Sequence, residues 1–363
     1  IHRRAYGQDR QCAGRYRAIP LRHGQYILMQ KNENYWRDGK PYLDRLVARF
    51  VPDNSTRAAL LQSGEIHLAG FGAIPYNEVR SLSANTSLEV TYKGVEMISP
   101  VVELTMNTKR PPLDDKRVRQ AISYAVDSKF VVDNVFFGAG KPAFGPISSN
   151  FSPVGYFTDQ VVDYSGAGRI EKAKALLDEA GLKPGADGFR FELVHDVLPY
   201  GEEWRRFGEK LQQDLAQIGV KVTLRNEDLA SWLQRVYTTY DYQIASNHLF
   251  NLSDPVIGVH RGIHSNSIQK GTPFVNGSQW STPETDALMD QATVEIDQSN
   301  RAAMYRELQQ KVADAAPNIY VFELAYPTVV NKKVHNASQD RLACTSRSTM
   351  HGWRSDTRAG YLL

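Results

Sequence analysis

Short apolar segments and longer amphipathic segments alternate along most of this chain, and no other feature constrains the fold as strongly. Residues 116–125 carry four apolar side chains at helical spacing and follow Asp114-Asp115, a pair that can cap a helix. Residues 202–218 repeat this pattern, and the strand-like residues 220–224 follow almost directly. Such an alternation predicts an α/β fold rather than a helical bundle or an all-β sandwich.

The same patterns locate the individual elements. Predicted strands cover residues 25–30, 46–51, 66–69, 88–92, 101–106, 189–194, 220–224 and 318–330. Predicted helices cover residues 56–63, 75–82, 116–125, 167–180 and 202–218, one that starts at Pro283, and residues 301–315.

The charge balance argues against some classes of function. Among 363 residues, 43 Lys plus Arg face 40 Asp plus Glu, which gives a net charge of +3. So small a net charge gives no support for a nucleic acid or another acidic polymer as the partner. Apolar residues at 42% and charged residues at 23% are typical of a globular protein, and about 150 residues per domain suggests two domains. No run of 18 apolar residues predicts a membrane-spanning helix.

Signatures of catalysis are missing, which predicts a protein that is not an enzyme and needs no cofactor. The sequence has no Gly-x-Ser-x-Gly, His-Glu-x-x-His or Cys-x-x-Cys motif. The Gly-Ala-Gly-Lys run at 138–141 is followed by Pro142, where a phosphate loop needs Ser or Thr and a helix. A turn is therefore predicted there. Cys12 and Cys344 can form neither a disulfide framework nor a metal pair.

Two chemical alternatives stay open. A hydrolase could use Asp254 with a nearby histidine, although no ordered nucleophile–base pair is visible. His248, His260 and His264 could hold a metal or a metal chelate. His260 and His264 share a face only in a helix, which the glycines on either side of His260 disfavour. Solvated or hydrogen-bonded loop histidines are the competing explanation.

The stretch from residue 232 to residue 280 is interpreted as loop-rich, and it concentrates aromatic and polar side chains. Aromatic walls with a few polar anchors are typical of a pocket for a small molecule or peptide. Ordinary core packing of the tryptophans and tyrosines is the alternative. The candidate ligand-binding residues of this stretch are Trp232, Arg235, His248, Asn251, Asp254 and Trp280.

Two more candidates are acids inside apolar strands, Glu103 and Glu323. A carboxylate in such a strand is costly to bury unpaired, so each must reach solvent, a protein partner or a ligand. Exposure at a sheet edge is the simplest of these outcomes.

Several sequence blocks occur in a characteristic order between residues 14 and 331. They include NENYWRDGKPYLD (32–44), MNTKRPPLDDKRVRQAISYAVD (106–127), LQQDLAQIGVKVTL (211–224) and WSTPETDALMDQA (280–292). In this order they resemble the family 5 extracellular solute-binding proteins of ABC importers, the oligopeptide-, dipeptide- and nickel-binding group.

The resemblance implies a two-lobed periplasmic-binding-protein-like (type II) fold with mixed sheets and flanking helices. Residues 1–105 would form part of the first lobe and residues 106–325 the second. Residues 326–363 would return to the first lobe and add an irregular tail. Strands 101–106 and 318–326 would be the hinge crossings, which places Glu103 and Glu323 near the ligand cleft.

The resemblance also implies roles for other candidates. Asn251 falls where peptide-binding members keep an Asp for the ligand ammonium, and Asp254 is the acid beside Pro255. Trp232 falls where a family tryptophan lines the cleft, and Arg235 lies close to a family basic position. An Asn can accept a hydrogen bond from an amine but brings no charge, so a free peptide amino terminus is not the expected ligand feature.

The implied function is the substrate-binding component of an ABC importer. Such a protein would be a periplasmic monomer that captures a peptide or peptide-like solute and delivers it to the permease subunits. A nickel- or metal-chelate-binding member of the same family is the alternative. The family's amino-terminal turn survives only as Ala13-Gly14-Arg15-Tyr16, and the tail beyond Asn336 matches no family block. We expect one domain, on the order of 100–150 residues, to be missing ahead of Ile1.

Overall fold

The computed structural model describes residues 16–19, 26–94, 96, 98–335, 337 and 360–362, with only the backbone for 16–19 and 360–362. Predictions made for Cys12, Ala13-Gly14-Arg15, Cys344 and most of the tail beyond Asn336 lie outside these residues. The chain divides into two compact units, which are residues 1–95 with 326–363 and residues 96–325.

The strands and helices of the described residues alternate along the chain. The strands are β1 (Tyr16–Ile19), β2 (Tyr26–Lys31), β3 (Arg45–Arg49), β4 (Leu68–Ala69), β5 (Leu88–Thr91), β6 (Pro100–Met106), β7 (Gly140–Pro142), β8 (Phe191–Val197), β9 (Val220–Asn226), β10 (Ile244–Phe250), β11 (Asn318–Leu324), β12 (Thr328–Asn331) and β13 (Gly360–Leu362). The α-helices are α1 (Asn54–Ser63), α2 (Tyr76–Ser83), α3 (Lys116–Ala125), α4 (Ser128–Phe130), α5 (Arg169–Glu179), α6 (Glu202–Ala216), α7 (Leu229–Leu233), α8 (Pro255–Gly258), α9 (Pro283–Val294) and α10 (Gln298–Ala315). Short π-helical turns cover Val131–Val135 and Gln234–Thr239, and 3₁₀ turns cover Ser149–Val154, His260–Gly262 and Ser265–Ser267.

The unit 1–95 with 326–363 contains two small sheets. One has the strand order β1-β2-β3-β13, and the other has the order β4-β12-β5. Helix α1 begins where Asp53 accepts a hydrogen bond from the Thr56 N–H at 2.7 Å, and it ends at Gly64, whose φ is 78°. The two helices α1 and α2 and the sheet β4-β12-β5 enclose an apolar cluster that includes Leu61, Leu82 and Val329.

The unit 96–325 is built on one six-stranded sheet with the order β7-β11-β6-β10-β8-β9. Strands β10, β8 and β9 run parallel, whereas β10–β6, β6–β11 and β11–β7 are antiparallel pairs. The sheet is therefore mixed and carries helices, so the predicted α/β class with mixed sheets and flanking helices is confirmed. Helix α3 has the predicted bounds, and Asp115 caps it by accepting from the Arg117 N–H at 2.8 Å.

The two faces of this sheet differ in chemistry. Alternate residues of a strand point to opposite faces, and the strand register decides which residues share one. One face, called here the polar face, carries Glu103, Thr105, Asn247, Asn318 and Tyr320. The other, called here the apolar face, carries Val102, Leu104, Met106, Ile244 and Phe322.

Strand β10 was not predicted, and the region around it is less loop-rich than expected. The strand lies between β6 and β8, and six of its seven residues are buried. Its centre is Ser246-Asn247-His248, and these polar residues interrupt the continuous apolar sequence that is typical of a central strand. Two of them have hydrogen-bond partners that make burial possible: Asn247 donates to the Tyr237 hydroxyl at 2.7 Å, and Ser246 accepts from the Leu198 N–H at 2.8 Å.

Two other predictions need correction. The single strand predicted over 318–330 is two strands, β11 and β12, which belong to different units and are separated by the Ala-Tyr-Pro segment 325–327. The turn predicted at 138–142 contains the short strand β7, which pairs with β11. Gly140 is needed there because a Cβ atom would lie 2.6 Å from the Phe322 ring.

The compact unit begins at Glu96, whereas the predicted second lobe begins at residue 106. The difference arises because β6 pairs with β10 on one side and with β11 on the other, so it belongs to the six-stranded sheet. The division into lobes with a hinge at these strands stays a prediction.

Candidate functional site

All eight predicted site residues lie in the unit 96–325. Four of them lie on the polar face of the sheet or in the segment that follows β10, namely Glu103, Glu323, Asn251 and Asp254, and protein partners surround each of the eight.

Asn251 follows β10 and is almost completely buried, with 2% of its surface exposed. Its Nδ2 donates to the Pro146 carbonyl at 3.0 Å, and its Oδ1 accepts from the Ser148 N–H at 2.6 Å. The amide therefore holds a backbone segment of its own unit. Its predicted role at a ligand ammonium position stays a prediction.

Glu323 holds the same segment. Its carboxylate accepts from the Ser148 hydroxyl at 2.6 Å, from the Ser149 N–H at 2.7 Å and from the Ser149 hydroxyl at 3.1 Å. Lys141 lies opposite on β7, with its Nζ 3.5 Å from the carboxylate. The expected sheet-edge exposure is wrong for Glu323, because three donors and one cation replace the water that the carboxylate loses.

Exposure is also the wrong expectation for Glu103, which is 3% exposed in the middle of the sheet. Its carboxyl accepts from the Thr105 hydroxyl at 3.1 Å and from Asn318 Nδ2 at 3.3 Å. Burial raises the pKa of Glu103 to about 7, and these hydrogen bonds and the more distant Arg261 oppose the shift without cancelling it. Glu323 lies opposite Val101, two positions along β6 from Glu103.

Asp254 is committed to structure as well. It caps α8 by accepting from the Val256 N–H at 2.9 Å. Arg301 Nη2 donates to both of its carboxylate oxygens at 2.9 and 3.1 Å, and Arg301 Nη1 donates to the Tyr156 hydroxyl at 3.1 Å. A hydrolytic role would need Asp254 beside a histidine, but its close partners are a guanidinium and a helix N–H.

The two tryptophans lie in packed surroundings. Trp232 is 1% exposed, contacts the rings of Tyr237 and Phe274, and donates from Nε1 to the Asp196 carbonyl at 3.3 Å. Trp280 is partly buried against the apolar cluster that α9 and α10 form with the loops beside them. Core packing, the alternative considered for such residues, describes the positions of both.

Arg235 has carboxylates on both sides. It donates to Glu227 at 2.7 and 3.1 Å and to Asp241 at 3.0 Å, and its Nε is 3.5 Å from Asp196. Its positive charge is thus already compensated within the protein. Asp196 was not predicted, although its pKa is raised to about 7 because burial outweighs the nearby arginines Arg225 and Arg235.

The three histidines proposed as metal ligands do not converge. His248 is on β10 and packs against Tyr200, Trp204 and Phe250. His260 Nε2 is 3.3 Å from the Tyr305 hydroxyl, and His264 Nε2 is 3.2 Å from Asp290. Burial lowers the pKa of both His248 and His260 to about 4. Within the described part of the chain, no three His, Cys, Asp or Glu side chains form a metal-binding group.

The glycines around His260 do not prevent helical turns there, contrary to the prediction. The chain forms α8 and then a 3₁₀ turn, and the His264 N–H donates to the His260 carbonyl at 2.8 Å. Gly258 has another role, since a Cβ atom at this position would lie 1.8 Å from the Asn251 carbonyl oxygen. The close approach of these two backbones packs the segment against the end of β10.

Arg261 is a residue of this segment that no sequence pattern singles out. Its Nε donates to the Gly258 carbonyl at 3.2 Å and its Nη2 to the Phe250 carbonyl at 3.1 Å. Among the residues that the structure describes, no carboxylate lies within 4.0 Å of it. Burial lowers the pKa of Arg261, an effect that Tyr237 and Glu103 oppose. In the sequence, its position ten residues after Asn251 is the one feature that links it to the candidate site.

A family model described as "Bacterial extracellular solute-binding proteins, family 5 Middle" matches residues 12–261. Heme-binding protein A of Haemophilus influenzae is 29% identical over 310 residues, which cover 84% of this chain and 52% of that protein. The dipeptide-binding protein of Escherichia coli is 29% identical over 315 residues, which cover 85% of this chain and 55% of that protein.

The fold agrees with these sequence comparisons. The structure of HbpA2 from Haemophilus parasuis superposes with a TM-score of 0.72 at 25% identity, covering 91% of this chain and 62% of that one. The chain spans about half the length of the relatives it matches. No helix among the described residues is both long enough and apolar enough to cross a bilayer.

Proposed function

This chain belongs to family 5 of the bacterial extracellular solute-binding proteins, and on that premise we propose that it is the substrate-binding component of an ABC importer. It captures a peptide or peptide-like small solute outside the cytoplasm and delivers it to membrane permease subunits. The observation that carries this proposal is the family match over residues 12–261, which includes six of the eight predicted ligand residues.

The character of the related proteins supports the class of ligand. One relative is named a dipeptide-binding protein and another a heme-binding protein, so both are binders of small organic solutes. Identity near 29% to both leaves the choice between peptide and heme to experiment.

The chemistry of the candidate site supports binding without a catalytic step. Asp254, Glu323 and Arg235 are all held by protein partners rather than arranged as a nucleophile with a base. His260 is hydrogen-bonded to Tyr305 rather than to Asp254. We propose accordingly that the protein is not an enzyme. The family match supports a place outside the cytoplasm, and we propose that the protein resides in the periplasm and acts there as a monomer.

Tryptophan fluorescence titration tests the proposal. The purified protein is titrated with a library of short peptides and, separately, with hemin, and we expect a saturable change with at least one peptide. Mass spectrometry of solutes that co-purify provides an independent identification. A protein that shows no saturable response to any peptide and carries no peptide-like solute would contradict the proposed function.

A further inference from the structure

The charged side chains among the predicted site residues and in the segment after β10 fall into two groups. Asp254 is paired with Arg301, Glu323 is surrounded by donors from residues 148 and 149, and Arg235 is paired with Glu227 and Asp241. In each of these the charge is compensated by protein. Arg261 differs, because both of its hydrogen bonds go to neutral backbone carbonyls.

The two carbonyls that Arg261 contacts fix its position without neutralising its charge. They belong to Phe250, the last residue of β10, and to Gly258, the last residue of α8. Nε and Nη2 are thus engaged, while Nη1 has no hydrogen-bonding partner among the described residues. A guanidinium has five donors in a rigid fork, so a held Arg261 keeps donors for an acceptor outside the protein.

We propose that Arg261 binds a carboxylate group of the transported solute. The inference rests on the proposed function and deepens it, because it defines the solute as one recognised through its acidic end. A half-buried guanidinium that is already oriented loses little side-chain freedom on binding, and a carboxylate matches its planar donors. The neutral Asn251 fits the same reading, because it offers no charge to an ammonium group.

The neighbours of Arg261 are compatible with an anion. Glu103 is the carboxyl group that acts on it electrostatically, but the two are not within ion-pair distance, and the Glu103 carboxyl is already engaged with Thr105 and Asn318. His248, whose pKa is lowered by burial and by Arg261, is neutral near pH 7, so Arg261 is the charged member of this pair. The buried Tyr237 is the third side chain that acts electrostatically on or beside Arg261.

The experiment compares solutes that differ only at the carboxylate. Peptides of two to five alanines are titrated as free acids, as carboxy-terminal amides and as amino-terminal acetyl derivatives. Hemin and hemin dimethyl ester provide the same comparison for a carboxylate that does not come from a peptide. Each titration is repeated with Arg261→Gln and with the matched control Arg306→Gln, since Arg306 also donates to a backbone carbonyl, that of Gly155, at 2.7 Å.

We expect the wild-type protein to bind the free acid at least tenfold more tightly than the amide or ester, and to tolerate acetylation. Arg261→Gln should bind acid and amide with equal affinity, whereas Arg306→Gln should keep the wild-type preference. If the preference for the free acid appears with the alanine peptides, the carboxylate that Arg261 binds comes from a peptide. If it appears with hemin against its dimethyl ester, the carboxylate comes from a heme-like solute.

Three results would overturn the inference. The wild-type protein could bind acid and amide equally well, or Arg261→Gln could weaken both forms by the same factor, as a merely structural residue would. In either case the proposed function stands, because peptide or hemin still binds. If no probe binds the wild-type protein at all, both the inference and the proposed choice of solutes are wrong.

Discussion

The two faces of the six-stranded sheet bury ionisable side chains in opposite ways. The polar face carries Glu103 between Thr105 and Asn318. The apolar face carries His195 on β8, which lies opposite Ile244 of β10 and beside the ring of Phe207, and neither ring nitrogen has a hydrogen-bond partner. Both side chains are almost completely buried.

Burial favours the neutral form of each side chain, and this gives the two faces opposite pH dependence. The pKa of Glu103 is raised from 4.5 to about 7, so its burial destabilises the fold as the pH rises from 4.5 through 7. The pKa of His195 is lowered from 6.5 to about 3 by burial, so its burial destabilises the fold as the pH falls from 6.5 toward 3. The two pH ranges overlap between about 4.5 and 6.5, where the two effects oppose each other, so Glu103 limits stability above the overlap and His195 limits it below.

The largest effect is expected at the end of β10, which contributes residues to both faces. Gly258→Ala should destabilise the protein by more than about 3 kcal/mol, because the new Cβ would meet the Asn251 backbone at 1.8 Å and neither chain can yield cheaply. Thermal or urea unfolding measures this. Gly262→Ala is the matched control, since its Cβ would meet only the end of the Leu249 side chain at 2.8 Å, and an equal loss in both variants would refute the close-approach explanation.

The next effect tests the edge of the polar face. Glu323→Ala removes the acceptor of the Ser148 hydroxyl and of the Ser149 N–H and hydroxyl, so we expect a loss of about 2–3 kcal/mol in unfolding free energy. Hydrogen exchange should show faster exchange of the Ser149 amide.

Glu192→Ala serves as the control for that change, because Glu192 is an exposed strand glutamate paired with Lys221 at the surface. Its expected loss is below about 1 kcal/mol. If Glu323→Ala costs no more than this, its buried hydrogen bonds do not hold the segment 146–149.

The third prediction tests the acid of the polar face directly. Between pH 4.5 and 8 the ionisation of Glu103 should lower the stability of the wild-type protein by about 3 kcal/mol, and the difference between the wild-type and Glu103→Gln pH profiles should show this contribution. Denaturant unfolding at several pH values measures it, with the exposed Glu89→Gln as control. An unchanged pH profile in Glu103→Gln would show that Arg261 or the hydrogen bonds keep Glu103 ionised.

The smallest effect at neutral pH belongs to the apolar face. His195→Leu should change stability by less than about 1 kcal/mol at pH 7, since the buried ring makes no hydrogen bond that is lost. Below pH 6 the variant should be more stable than the wild type, because it has no side chain that must resist protonation. His264→Gln, at a histidine paired with Asp290, is the control, and a parallel acid profile for His195→Leu and wild type would contradict the prediction.

Sequence reasoning reached the parts of the fold that follow from local periodicity and capping. Helix α3 has its predicted bounds because an Asp cap and apolar spacing agree. Strand β10 was missed because Ser246, Asn247 and His248 are polar, and the hydrogen bonds that Ser246 and Asn247 make with Leu198 and Tyr237 exist only in the folded chain. Contacts between residues far apart in sequence leave no local signal. Asn107, for example, donates to the carbonyls of Tyr240 and Tyr242.

The candidate site shows the same limit. The sequence identified Asn251 and Glu323 as unusual, but not that both bind the backbone of residues 146–149, more than 100 positions from each. It did not identify Arg261, since what distinguishes that arginine is the absence of a nearby carboxylate among the described residues. Such an absence depends on the three-dimensional arrangement of every acid around it.

The strand order β4-β12-β5 has a consequence for the order in which the chain folds during synthesis. Strands β4 and β5 are made early, but β12, which joins them, follows only after the about 230 residues of the unit 96–325. At roughly 5–20 residues per second, the ribosome needs on the order of 10–50 s to cover that distance. Strand β11, which the six-stranded sheet needs, ends at Leu324, just before β12 begins at Thr328, so both sheets receive their missing strand almost together. Until then the apolar surface that Val329 covers stays open in the nascent chain.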